Sequence, residues 1–182
     1  MSGCVDVALV EGKRTLISAS LAPVVHAIAS DPERRHRVAE ALTEPARRLL
    51  GLVEDGRTVR SDDSGQPGKV GRKARTELEA ALLARSTSVH TLAGHHVSLL
   101  EAYGNEPEPG TPMTHGLRAL FEVSLRAAVV AERTEALKWF RFVEPDRERR
   151  AAALSDLRPS ELKSAGHIWL TLDAADGGSL AG

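Results

Sequence analysis

The sequence predicts an all-α fold, a helical bundle built on two long antiparallel amphipathic helices, with a short hairpin or arm at the N-terminus. Three observations lead there. Aromatic residues make up only 3% of the chain, so the core must be assembled from Leu, Val and Ala, which is typical of packed helices. Leu78, Leu82, Arg85, Val89, Leu92, His96, Leu99 and Tyr103 recur at alternating steps of four and three, the period of one continuous helical seam. A second stripe, Met113, Leu117, Leu120, Phe121, Leu125, Ala128 and Val129, follows a Pro-rich loop short enough to make the two helices antiparallel neighbours.

The elements follow in order. Residues 5–10 alternate weakly and are succeeded by Glu11-Gly12-Lys13 and Thr15-Leu16-Ile17, the pattern of a hairpin or a loose arm. Ser20 can cap a helix that tolerates Pro23 in its first turn and turns Leu21, Val24, Val25 and Ile28 inward. Asp31-Pro32-Glu33 reads as a cap, a first-turn proline and an acid that matches the helix dipole. Thr43-Glu44-Pro45 repeats the signal and starts a helix carrying Leu49, Leu50, Leu52 and Val53.

Residues 55–68 hold three glycines, a proline and almost nothing apolar, so a mobile linker is expected there. A Pro-rich loop over 104–112 separates the two long helices. Beyond Val130 the helical pattern continues through Leu137, Phe140 and Val143. A charged helix over Asp146 to Leu157 comes next, then a turn of helix through Lys163 that Gly166 ends. Residues 174–182 are expected to be a disordered tail, with Trp169 the nearest anchor. The length fits a single helical domain over 1–182.

Composition narrows the function. The chain carries 24 Lys and Arg against 25 Asp and Glu, a net charge of −1, and lacks the excess of cations that phosphate binding demands. Arg34-Arg35-His36-Arg37 and Arg47-Arg48 are interleaved with acids and read as solvated faces. Cys4 is the one cysteine, which excludes an internal disulfide and fits a reducing compartment. No stretch approaches the roughly 20 apolar residues of a membrane span, and no signal peptide is legible, so a cytoplasmic protein with no membrane contact is expected.

Motifs for nucleotide, hydrolase and zinc-peptidase chemistry are absent, so no cofactor is expected. His90, His95, His96 and His115 cluster in sequence, but adjacent His95 and His96 diverge by about 100° on a helix. At most one of them shares a point with His115, and no metal site is expected. Arg85 and His96 are the two polar members of the first seam, where a buried charge must be paired. Glu122, between Arg118 and Arg126, is placed to face them across the helix interface. The ladder Arg118, Glu122, Arg126 also reads as an exposed series of i,i+4 ion pairs.

Arg85-Ser86-Thr87-Ser88-Val89-His90 resembles the arginine-then-histidine pattern of HEPN-class ribonucleases, small helical bundles that often dimerise. Leu117-Arg118-Ala119-Leu120-Phe121-Glu122, with the preceding His95-His96-Val97-Ser98-Leu99-Leu100, is similar to the Arg-x-Leu-x-Glu helix of uncharacterised, mainly actinobacterial all-helical proteins of HEPN-like build. The resemblance covers about residues 70–155. It implies a toxin or defence ribonuclease acting through Arg85, His90 or His96, and Glu122, with RNA as partner. The chain departs from the pattern at Ser86, where the family carries Asn, Asp or His, and at Ala127-Ala128-Val129-Val130, where it carries tryptophans. Residues five apart on a helix also point about 140° away from each other, which separates Arg85 from His90. The first expectation is therefore a non-catalytic module that self-associates, as a homodimer, or binds a protein partner. The ribonuclease is the alternative, and small-ligand sensing in an interhelical pocket a further one.

Overall fold

The computed structural model describes residues 4–10, 12–60, 68–90, 94, 96–103 and 113–172. The expected loop at 104–112 and tail at 174–182 lie outside them, as does most of the expected linker. In chain order the elements are β1 (Cys4–Val10), β2 (Lys13–Ser18), α1 (Ala22–Ser30), α2 (Pro32–Ala41), α3 (Glu44–Glu54), β3 (Val59–Arg60) and α4 (Gly68–Ala80). Then come β4 (Ala84–His90), β5 (His96–Ala102), α5 (Met113–Ala128), β6 (Ala131–Glu132), α6 (Arg133–Ala136), α7 (Arg147–Ser155), β7 (Ser160–Ser164) and β8 (His167–Thr171). The strands form a β1–β2 hairpin and two three-stranded antiparallel sheets, ordered β3-β5-β4 and β6-β8-β7.

The fold is therefore mixed α and β, and the all-α bundle is overturned. The first long helix does not exist. Its seam runs through α4, a turn and the β4–β5 hairpin. Helix α4 stops at Ala80, and Leu82 adopts φ 51°, a left-handed conformation that ends a right-handed helix. The following Ser86-Thr87-Ser88-Val89 is poor in helix formers and suits a pleated strand. Gly94 at φ 78° lies between the two strands. The 3–4 spacing of apolar residues there is coincidental.

The second long helix is present as α5, sixteen residues with Leu117, Leu120, Phe121 and Leu125 buried. It ends where Val129 turns to φ 65°. The helix expected beyond it is broken into β6, α6 and irregular turns through Val143. The helical turn expected through Lys163 is strand β7 instead. Ala165 and Gly166, at φ 50° and 80°, make a two-residue turn of the mirror-image type that favours hairpins.

Asp31 caps α2 as its sequence position suggests, accepting from the Arg34 amide at 2.7 Å. One core gathers Val7 and Ile17 of the first hairpin, Val25 and Ile28 of α1, the inner face of α5, and Phe140, Leu154 and Leu170. Phe121 and Phe140 meet edge to face, 4.9 Å between centroids. A second core joins Val38, Leu49, Leu50, Val53, Val59, Leu78, Leu83 and Leu100. Val59, in the segment expected to be mobile, is buried and pairs with Leu100. No helix among the described residues is long and apolar enough to cross a membrane.

Candidate functional site

The four residues proposed from sequence are not brought to one place. Arg85 stands on β4, largely exposed, and its partner is Glu101 directly across the strand pair at 3.7 Å. His90 and His96 form the last pair of the same hairpin, their rings 3.9 Å apart, both exposed. Five residues along a strand turn the side chain to the other face, so Arg85 and His90 point apart. Glu122 lies on α5 and pairs with Arg126 at 3.1 Å, the surface version of the ladder. Among the described residues Arg85 makes no ion pair with Glu122, and His96 stacks on His90 rather than on Arg85. Among the described residues no group of three or more His, Cys, Asp or Glu is placed to hold a metal ion.

The buried charge lies elsewhere, where sequence reasoning saw only a solvated face. Arg34 is fully buried between the two cores. Its Nε donates to the Val143 carbonyl at 2.5 Å and one terminal nitrogen to the Ala81 carbonyl. Burial pushes its pKa down to about 10, opposed by Glu144. The Glu144 carboxylate is fully enclosed, accepts from Arg37 at 2.9 Å and from the Asp146 amide at 3.0 Å, and so offsets part of the positive charge of this region. Arg150 completes the knot by donating to the Leu137 carbonyl at 2.8 Å and to the Glu144 carbonyl. The missed signal was position: Arg34 precedes Val38 by one turn, on the face that α2 turns inward. These guanidinium groups satisfy backbone carbonyls and hold elements together.

Two of the clefts among the described residues differ in size and lining. One, about 40 Å³, lies between the first hairpin, α4 and β4, with Arg14, Glu79, Arg85, Ser86 and Tyr103 around it. That is room for little more than ordered water. Burial raises the Tyr103 phenol above its ordinary pKa, and Arg85 pulls it the other way. The other, about 410 Å³, opens between α6 and α7 over Leu137, Ala151 and Ile168.

The β6-β8-β7 sheet presents a different kind of surface. Its inner face buries Ala131 and Leu170 against the first core. On its outer face Glu132, Trp169 and Leu162 stand in one row across the three strands, since Glu132 pairs with Trp169 and Trp169 with Leu162. Leu162 is 59% exposed and Trp169 36%, with Val130 beside the row at 46%. Arg133 and Glu161 pair at 3.1 Å at the margin. Strand β7 is the outermost strand, and among the described residues no strand pairs with its far edge. Sequence reasoning missed this surface because it took 160–163 for helix, which scatters Leu162 and Trp169. No family model, curated protein or solved structure matches the chain.

Proposed function

We propose that the chain is a self-association module that forms a homodimer through its C-terminal β6-β8-β7 sheet. The observation that carries this reading is the row of Leu162 and Trp169 on the outer face, large apolar side chains held in register and left facing water. Scattered surface leucines need no explanation, but an aligned aliphatic and aromatic pair on a sheet beside an open strand edge is what interfaces use. Glu132, in the same row on β6, supplies a polar margin at one end of it.

Light scattering coupled to size exclusion tests the reading over a range of protein concentrations. The expected result is a dimer that dissociates on dilution, and a monomer for Leu162→Glu with unchanged circular dichroism. A strict monomer at every concentration, or a dimer indifferent to Leu162→Glu, overturns it. A monomer that captures some other protein through this face also counts against self-association.

A further inference from the structure

Resting on the self-association reading, we infer that the second copy docks edge to edge on β7. The two β7 strands run antiparallel about a twofold axis at Leu162, joining two three-stranded sheets into one of six strands. The β7 sequence is Ser160-Glu161-Leu162-Lys163-Ser164, which reads the same in both directions except that Glu and Lys exchange. Antiparallel pairing about Leu162 sets Ser160 against Ser164, Glu161 against Lys163 and Leu162 against Leu162 of the second copy. Each copy thus presents the same self-complementary patch, as a twofold interface requires.

The hairpin fixes which backbone groups are available. Ser164 and His167 flank a two-residue turn and form a hydrogen-bonded pair, so the amides and carbonyls of Ser160, Leu162 and Ser164 point toward β8. Those of Glu161 and Lys163 point to the open edge. A second β7 must therefore pair through 161 and 163, and three registers do so. One sets Glu161 opposite Glu161, another Lys163 opposite Lys163, and each places like charges face to face. The register about Leu162 alone places Glu161 opposite Lys163, twice by symmetry. Lys163 has no acidic partner within its own chain among the described residues, and the second copy supplies one.

Edge lysines ordinarily discourage strand addition. Here the lysine is matched by the acid two residues before it, so the device blocks strangers and admits a second copy. Leu162 falls at the non-hydrogen-bonded position on the axis, where opposing side chains approach most closely. It is also the most exposed member of the outer row, and its outer neighbour becomes another leucine. A five-residue strand pairing is a small interface, consistent with a reversible dimer.

Charge exchange and cross-linking test the register. Lys163→Glu is expected to weaken the dimer roughly tenfold by setting Glu against Glu. Adding Glu161→Lys to it is expected to restore the dimer, although it costs the pair with Arg133. In a Cys4→Ser background, Leu162→Cys is expected to form a disulfide-linked dimer on mild oxidation, whereas Ser164→Cys, opposite Ser160 of the second copy, forms none. A dimer that survives Lys163→Glu, fails to recover in the double variant, or leaves Leu162→Cys unlinked overturns this register while the self-association reading stands. A chain monomeric at every concentration overturns both.

Discussion

The Arg37 guanidinium donates to the Glu144 carboxylate at 2.9 Å, and that carboxylate has no contact with solvent. Glu144 acts on Arg34, Arg37 and Arg150 alike, with Asp31 adding to it at Arg34 and Arg37 and Asp146 at Arg150, and it joins the segment after α6 to α2. Removing it takes away the largest opposing charge on the buried Arg34, so Glu144→Ala is expected to cost about 3–5 kcal/mol in chemical denaturation. The Arg85 and Glu101 pair, exposed on its strand, is expected to contribute under about 1 kcal/mol in a double-mutant cycle.

Gly116 lets α5 approach α1. A Cβ there meets Ile28 Cγ1 at 2.8 Å, and Ile28 is fully buried with no room to yield. Gly-to-Ala within a helix ordinarily gains about 1 kcal/mol. Gly116→Ala is expected instead to lose about 1–3 kcal/mol, read from the denaturation midpoint.

Val129 has the opposite character. It sits at φ 65°, costly for a β-branched residue, and its side chain is 72% exposed. Its carbonyl, which accepts from Thr171 Oγ1 at 3.0 Å, is kept in any variant. Val129→Asn is expected to stabilise the fold by roughly 1 kcal/mol, measured as a rise in the unfolding midpoint.

Tyr103 is the single tyrosine, so its ionisation can be followed by near-ultraviolet absorbance. Burial holds its folded-state pKa above that of the unfolded chain. Its contribution to stability is therefore complete below about pH 10 and is lost as pH rises through the raised value. Arg85→Ala removes a charge that pulls the phenol down, and is expected to move the titration further upward.

Local chemistry made some of this fold legible. Asp31-Pro32-Glu33 announces α2 because a capping carboxylate and a first-turn proline have few other uses, and the α5 stripe is read from Leu117 to Leu125. The β4–β5 hairpin was hidden because Leu78, Leu82, Val89 and Leu99 happen to fall at helical spacing. Gly94 and the Ser-Thr-Ser run argued for strands and a turn. Arg34 was passed over for another reason: its one-turn spacing from Val38 marks the inward face of α2, but a run of four basic residues reads as solvated. None of Arg85, His90, His96 and Glu122 belongs to the surface proposed here. The palindrome at 160–164 becomes meaningful only when the segment is a strand, because only then do Glu161 and Lys163 share an edge.

Hydrogen exchange at the amides of β7 tests the central claim most directly. Lone chains leave the Glu161 and Lys163 N–H groups bare to water, while those of Leu162 and Ser164 are engaged by β8. Slowed exchange at 161 and 163 that strengthens with protein concentration, and disappears in Lys163→Glu, is the outcome expected of paired edges. Solvent-rate exchange at both amides at the highest concentration attainable would contradict it.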